Sequence, residues 1–238
     1  MEARKRRFLT FLREFALLAR SFDATPEAIR EFQHVVEMID SALLRTFLPN
    51  QYSRMITTLI NTTKESSGIY YADVYNDDYC HVNAFGFSKL GMRIPIHDHP
   101  NQYAAMKVFQ GSVKVRSFSI VPDSGDDSSD VDSWSDSDRF VTTKYQGETV
   151  LSSQPGQKHC AILGPHNGNI HEVISLEPHT YFCDFFTPIC NDCNYYSSPN
   201  TDSLTVGQTV HLKRIRCPQD FICRKLSFPR FQNIDHDE

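Results

Sequence analysis

The chain has 238 residues, of which 40% are hydrophobic, and it carries 24 basic against 29 acidic side chains. No run approaches the ~18 apolar residues that a membrane-spanning helix requires. No basic stripe extends beyond residues 4–7, so a nucleic-acid surface is not predicted. The seven cysteines are scattered and odd in number, which is typical of reduced cytoplasmic thiols. A signal peptide is not expected either, because Arg13 and Glu14 interrupt the apolar stretch that follows the basic residues.

Residues 1–65 are predicted to form a helical cap. Apolar side chains recur every three or four positions over residues 8–22, which indicates a helix with one buried face. A second helix is predicted to begin at Thr25 and Pro26, since a hydroxyl at the N-cap and proline at the first helical position both favour a start. A third short helix is expected over residues 51–62. We interpret these helices as packing against the rest of the protein rather than binding a partner.

Residues 66–238 are predicted to form an all-β domain. Short segments rich in β-branched and aromatic residues alternate with glycine, proline, asparagine and aspartate, which is typical of a sandwich or jelly-roll barrel. The expected strands cover residues 70–75, 80–90, 105–109, 112–121, 140–146, 148–152, 160–163, 169–176, 181–187, 209–215 and 221–228. Residues 123–138 contain seven aspartates and no basic residue, so a disordered loop is predicted there, in preference to a calcium or phosphorylation site.

The most informative motif is His97-Asp98-His99, which lies between two prolines. Side chains of a strand alternate between its faces, so the two histidines would lie side by side and Asp98 would face the other way. Two imidazoles on one face form half of a site for a first-row metal, as in many cupin barrels. Residues 101–105 lack the carboxylate that often follows, so the third ligand must come from elsewhere.

His171 is the third ligand that we predict among the eight remaining histidines. It follows a turn-rich segment that leads into a strand, and this arrangement suits a second metal-bearing strand. His159 and His166 are the alternatives. Three neutral histidines leave the metal its full charge, which favours an anionic ligand such as a thiolate. Zinc accepts the same ligands, so at this point a hydrolase or hydratase is not excluded.

Four segments of the chain resemble the thiol dioxygenase family of cysteamine dioxygenase and the plant cysteine oxidases. They follow in the family's order and lie within residues 50–230. The segments are Ile94-Pro-Ile-His97-Asp-His99-Pro100, Met106-Lys-Val-Phe-Gln-Gly111-Ser-Val, Gly168-Asn-Ile-His171-Glu-Val, and Phe182-Cys-Asp184-Phe-Phe-Thr-Pro188 followed by Asp192-Cys193-Asn-Tyr195-Tyr196. The resemblance implies a cupin double-stranded β-helix with an N-terminal helical extension.

The family chemistry implies that His97, His99 and His171 bind non-haem Fe(II). Such enzymes insert both atoms of O2 into a thiol and produce a sulfinic acid. The implied substrates are cysteamine and the N-terminal cysteine of proteins or peptides, the latter in oxygen sensing through the N-degron pathway. We expect the enzyme to act as a monomer, without nucleic-acid or membrane partners.

The resemblance also assigns roles to three further residues. Asp184 matches an acidic residue of the family's active site. Cys193 and Tyr195 match a pair that forms a thioether crosslink in animal members. The family's Pro-Pro-Tyr after the aspartate strand is replaced here by Pro188-Ile-Cys190, which removes a tyrosine from that end.

Other interpretations of the same segments remain open. Tyr103 is expected in the substrate pocket, since it closely follows His99, although packing inside the barrel is the simpler alternative. Lys107 is expected to be an outward-facing charge. Cys190 and Cys193 have zinc-knuckle or redox spacing, but we favour a loop pair near solvent. The functional alternatives are a metal-binding cupin without oxygenase activity and a cupin dioxygenase that acts on carbon.

Overall fold

The computed structural model describes residues 2–39, 68–121, 140–189, 193–198 and 203–226. These ranges contain two helices and twelve strands. The helices are α1 (Glu2–Arg20) and α2 (Pro26–Met38), and the strands are β1 (Ile69–Asn76), β2 (His81–Phe87), β3 (Arg93–His97), β4 (Tyr103–Gln110), β5 (Ser112–Ile120), β6 (Phe140–Ser152), β7 (Cys160–Leu163), β8 (Ile170–Ser175), β9 (Thr180–Thr187), β10 (Tyr195–Ser197), β11 (Thr209–Ile215) and β12 (Cys223–Lys225). The third predicted helix, the acidic segment 123–138 and the domain boundary at residue 65 lie outside the described residues.

The twelve strands form two sheets, as predicted for a double-stranded β-helix. One sheet has the order β12-β1-β2-β9-β4-β7. The other, in the order β10-β11-β6-β5-β8-β3, closes on itself because Tyr195 of β10 pairs with His97 of β3. Strands that are distant in the chain are therefore neighbours in each sheet, which is the jelly-roll arrangement. The predicted fold class is confirmed.

Strand β4 shows how the six-stranded sheet is buried on both faces. Alternate side chains such as Met106 and Val108 point into the barrel and pack with residues of the second sheet, for example Val113 of β5. Ala105 and Phe109 point the other way and belong to a second apolar cluster. This separation follows from the two-residue period of a strand.

The two helices cover the outer face of the six-stranded sheet. The predicted start of α2 is confirmed, because the Thr25 hydroxyl accepts a hydrogen bond from the Ala28 N–H at 3.3 Å and proline occupies the first turn. From α1, Phe11 and Phe15 pack edge-on against Phe185 of β9, with ring centroids 5.6 and 5.3 Å apart. Neither described helix is long and apolar enough to cross a membrane.

Lys107 corrects one sequence prediction. It does point away from the barrel interior, but α2 covers that face, and only 1% of the residue is exposed. Its ammonium group donates hydrogen bonds to the carbonyls of Val36, Glu37 and Ile39 at 3.1, 2.6 and 2.6 Å. A positive charge satisfies the unpaired carbonyls at the end of a helix and complements the helix dipole. Lys107 therefore joins β4 to the C-terminal end of α2.

Candidate metal centre

The three predicted ligands come together at one end of the closed sheet. His97 is the last residue of β3, and its Cα partner across the antiparallel ladder is His171 of β8. The ring centroids of His97 and His171 are 4.3 Å apart, and that of His99 is 4.9 Å from the first and 5.3 Å from the second. One ligand nitrogen from each ring lies within 4.8 Å of the other two. This spacing allows all three to approach a single ion.

The strand that carries His97 ends earlier than predicted. We expected a strand through His99, but β3 stops at His97, and the next N–H, that of Asp98, donates to the Asn194 carbonyl at 3.0 Å. The Asp98 carboxylate accepts hydrogen bonds from the Asn194 N–H at 2.9 Å and from the Tyr196 hydroxyl at 2.7 Å. Asp98 therefore faces away from the two histidines, as predicted, and ties their segment to β10.

Backbone carbonyls orient two of the rings. The Nδ1–H of His97 donates to the Pro95 carbonyl at 2.8 Å, and that of His171 donates to the Asn169 carbonyl at 2.7 Å. These bonds leave Nε2 of each ring as the free lone pair. Asn169 also holds the third ligand, since its side chain accepts from the His99 N–H at 2.7 Å and donates to the His99 carbonyl at 2.9 Å.

Burial keeps the three imidazoles neutral. It lowers the pKa of His97, and it lowers the pKa of His171 to about 3. The pKa of His99 falls well below its ordinary value, first through burial and then through repulsion from the charged forms of the other rings. Neutral imidazole is the metal-binding form. Three neutral nitrogen donors directed at one point fit a divalent first-row cation.

Two aromatic neighbours of the cluster were missed by sequence reasoning. The Phe186 ring lies 4.7 Å from the His99 ring and 4.4 Å from the ring of His81. Burial lowers the pKa of His81 to about 4, so it is neutral as well. No local motif in the sequence marks His81 as a neighbour of the site. Phe186 could have been found, because it lies two residues after Asp184 and the two-residue period of a strand places both on the inner face.

Asp184 lies on the inner face of β9, between Phe182 and Phe186. Across the sheet it is opposite Met106 of β4 and Asn83 of β2. It is buried, and among the described residues its Oδ1 atom has no hydrogen-bond partner. Burial raises the pKa of the carboxyl group well above its ordinary value. A buried polar atom without a partner costs free energy, so this position favours a ligand that supplies a donor.

The Cys193 and Tyr195 pair lies at the rim of the cluster. The Tyr195 ring is 6.3 Å from the His97 ring, and Cys193 is exposed. Burial raises the pKa of the Tyr195 phenol, and the thiols of Cys193 and Cys217 raise it further. Cys190, the other half of the proposed zinc spacing, lies outside the described residues.

Tyr103 is not brought to the histidines. Its ring packs against Phe22 with a centroid distance of 5.1 Å, on the side of the sheet that the helices cover. The next residue, Ala104, is the one that faces inward and packs with Phe186. Tyr103 therefore belongs to the helix-facing core rather than to the expected substrate pocket, because neighbouring residues of a strand face opposite ways.

Comparison with known proteins adds evidence independent of this geometry. A family model described as PCO_ADO matches residues 35–230. The 2-aminoethanethiol dioxygenase of Homo sapiens is 25% identical over 190 residues, which cover 67% of this chain and 66% of the human protein. The chain thus spans just under two thirds of the length of that relative.

Solved structures of lower identity are also similar. KdgF from a Halomonas species is 18% identical over 54% of this chain and 86% of its own, with a TM-score of 0.35. Oxalate oxidase in complex with the substrate analogue glycolate is 15% identical over 55% and 56%, with a TM-score of 0.38. A cupin superfamily protein from Desulfitobacterium hafniense is 12% identical over 54% and 83%, with a TM-score of 0.33.

Proposed function

Because the chain belongs to PCO_ADO, a family of thiol dioxygenases, we propose that it is an Fe(II)-dependent enzyme that oxidises an amino-thiol with O2. The observation that carries this proposal is the face of three neutral histidines, with its ligand atoms within 4.8 Å of one another. His97, His99 and His171 would hold the ion. When bound, the ion supplies a positive centre that favours the thiolate form of a substrate and supports O2 activation.

The reaction needs no external reductant. Insertion of both atoms of O2 into a thiol gives the sulfinic acid, and the sulfur atom supplies all four electrons. The protein must therefore bind the thiol, orient it and exclude water. The buried Phe186 ring beside His99 limits access of water to the cluster.

Asp184 is the group that we propose for recognition of the substrate amine. It lies two residues from Phe186 on the same strand face, about 7 Å along the strand. The Asp184 carboxyl group and the Phe186 ring beside His99 face the same barrel interior, in which a substrate bound at the histidines would lie. The neutral carboxylic acid would lose its proton on pairing with the ammonium group of the substrate, because a nearby positive charge stabilises the carboxylate.

The proposed substrate class is an amino-thiol without a carboxylate beside the amine. The human relative is named for 2-aminoethanethiol, and cysteamine or an N-terminal cysteine of a protein or peptide presents the same amino-thiol group. Oxidation of such protein termini would serve oxygen sensing through the N-degron pathway.

We propose a monomer with a helical cap over residues 1–65 and a dioxygenase domain over 66–238. None of the six described cysteines forms a disulfide in the structure, and the proposed location is the reducing cytoplasm.

Oxygen uptake tests the reaction directly. The metal-free protein is loaded with Fe(II) and supplied with cysteamine, a Cys-initiated peptide or free cysteine, and the products are identified by mass spectrometry. We expect a sulfinate from the first two substrates, formed faster than from free cysteine. Iron binding without consumption of any thiol would indicate a metal-binding cupin. Oxygen uptake with a carbon substrate alone would indicate a cupin dioxygenase that acts on carbon. Oxidation of free cysteine faster than of the Cys-initiated peptide would contradict the proposed substrate class.

Substitution of a ligand tests the metal assignment. We expect His171→Ala to abolish stoichiometric iron and turnover, because two histidines cannot hold the ion against solvent. His166→Ala is the matched control, since His166 is exposed in the turn before the same strand and should keep both. Iron content measured by atomic spectroscopy is the readout, with circular dichroism to check the fold. Full iron occupancy in His171→Ala would contradict the assignment and leave His159 and His166 as candidates.

A further inference from the structure

The pairing of β10 with β11 ends two residues short of two exposed cysteines, Cys193 and Cys217. Tyr195, Tyr196 and Ser197 have Ile215, Arg214 and Lys213 as their Cα partners. If this antiparallel register continues for two residues beyond Tyr195, Cys193 comes to lie opposite Cys217. Residues directly opposite in an antiparallel pair have Cβ atoms ~4.5–5.5 Å apart. The corresponding Cα separation lies within the roughly 4.4–6.8 Å range found for disulfides.

Contacts around the pair support this register. The thiols of Cys193 and Cys217 both raise the pKa of the Tyr195 phenol. The backbone next to Cys193 is held in place, because the Asn194 N–H donates to Asp98 and the Asn194 side chain accepts from Arg214. Cys193 is therefore attached to a segment of backbone that hydrogen bonds hold against Asp98 and β11.

Their exposure distinguishes these two cysteines from the others that the structure describes. Cys193 and Cys217 are exposed, whereas Cys80, Cys160 and Cys183 are buried. Cys223 is partly buried and packs against the apolar core of the barrel. An oxidant in solution would therefore reach Cys193 and Cys217 first.

We propose that Cys193 and Cys217 form a reversible disulfide at the rim of the metal centre. The oxidant is a small disulfide of the glutathione class. One protein thiolate attacks it and releases a thiol, and the second protein thiol then displaces the other half of the oxidant. The two protein thiols lose two protons and two electrons in total, and the oxidant leaves as two thiols.

The disulfide would also control whether Cys193 forms the thioether with Tyr195. This part of the inference rests on the proposed function. The sulfur that joins Cys217 cannot also form the predicted thioether with Tyr195. The thioether likewise removes two electrons and two protons, for which O2 would be the acceptor, but it is permanent, whereas the disulfide is reversed by thiols. The disulfide would also fasten β10 to the segment that leads to Phe221, whose ring lies 6.0 Å from that of Tyr195. Cys217 therefore makes modification of the rim dependent on redox conditions.

The disulfide is tested in the metal-free full chain, where no turnover can interfere. The protein is equilibrated in glutathione buffers of increasing oxidising strength, alkylated and mapped by mass spectrometry after digestion without reduction. We expect a Cys193–Cys217 linkage in the unsubstituted protein and in Cys223→Ser, the matched control. In Cys217→Ser, Cys193 should carry glutathione instead. A Cys190–Cys193 linkage, or glutathione on both Cys193 and Cys217 of the unsubstituted protein, would overturn the proposal.

The second experiment tests the competition between the two modifications. The iron-loaded protein is exposed to O2 without added thiol, either after oxidation by glutathione disulfide or in reduced form, and the thioether is quantified after full reduction. We expect at least a severalfold lower yield after oxidation in the unsubstituted protein and equal yields in Cys217→Ser. Equal yields in the unsubstituted protein would overturn the protective role. Absence of the thioether from every sample would count against the proposed thioether and also refute the protective role, while the disulfide itself is decided by the mapping.

Discussion

At the scale of single residues, the proposed metal centre depends on groups that touch the three histidines as well as on the histidines themselves. The carbonyls of Pro95 and Asn169 select the tautomer of two histidines, and the Asn169 side chain holds the backbone of the third. These bonds set the ring positions before any ion arrives. Asp184 differs, because its unpaired oxygen has no partner among the described residues and its neutral form depends on burial.

The first prediction at this scale concerns turnover by Asp184→Asn. We expect kcat/KM for cysteamine to fall by about 10- to 100-fold while iron content is preserved, because an amide cannot ionise to pair with an ammonium group. Steady-state oxygen uptake measures the loss. Activity equal to that of the unsubstituted protein would make Asp184 a structural carboxyl group.

The same substitution predicts a pH-dependent change in stability. Burial raises the folded-state pKa of Asp184 above its unfolded value of about 3.9, so the folded protein binds more protons above that pH. The carboxyl group therefore lowers the free energy of unfolding increasingly as the pH rises through this window. Asp184→Asn removes that penalty. Urea denaturation of the metal-free proteins should show the variant gaining stability relative to the unsubstituted protein from pH 5 to pH 8, and a constant difference would contradict the assignment.

At the scale of elements, the link between β4 and α2 joins the helices to the barrel. Lys107 carries a charge into this apolar contact, and three carbonyls at the end of α2 compensate for its burial. Its neighbours in the same sheet row are Cys183 and Cys160, which offer no comparable hydrogen bonds. Lys107 therefore adds a specific polar link to the apolar packing of Phe32 and Val36 that holds α2 on the sheet.

Substitution of this lysine should be costly. We expect Lys107→Met to lower the free energy of unfolding by about 3 kcal/mol, since three buried carbonyls lose a charged donor. Lys114→Met is the matched control on β5, where the lysine forms a partly exposed ion pair with Glu148 and should contribute less than ~1 kcal/mol. Urea denaturation measures both changes. Equal effects of the two substitutions would show that the buried hydrogen bonds add nothing.

At the scale of the whole molecule, the acidic segment interrupts a hairpin whose arms are already paired. Ile120 of β5 has Thr143 of β6 as its Cα partner, and the Val121 N–H donates to the Thr142 carbonyl at 3.0 Å. The ladder between these two strands continues to Ser112 and Ser152. The hairpin therefore does not depend on residues 123–138 for its register.

Deletion of the acidic segment should leave the chemistry intact. Replacement of residues 123–138 by a short Gly-Ser linker is expected to retain iron binding and cysteamine turnover, because loop length alters closure free energy by only ~0.6 kcal/mol per doubling. If the negative charge steers basic substrates, activity on a basic Cys-initiated peptide should fall at low salt only. Loss of cysteamine turnover with iron retained would show that the segment shapes the active site.

Local patterns alone determined the elements and the donor chemistry. Residue spacing predicted the start of α2 and the bounds of β7 and β11, because caps and strand periods depend on near neighbours in the chain. It predicted β6 as two strands, whereas one strand continues through a bulge at Gly147, and it missed the three-residue β10. The His97-Asp98-His99 motif indicated a metal site because neutral imidazole is a common ligand of first-row metals.

Only the tertiary structure decided which distant residues meet and which faces are covered. The register of β3 with β8 brings His97 to His171, the short β10 pairs with both β3 and β11, and α2 turns an outward-facing Lys107 into a buried one. Each depends on contacts between segments far apart in the sequence. The two-residue period of a strand shows that a side chain points away from the barrel interior. It does not show which element packs against that side chain, because the free energy of the whole fold decides that contact.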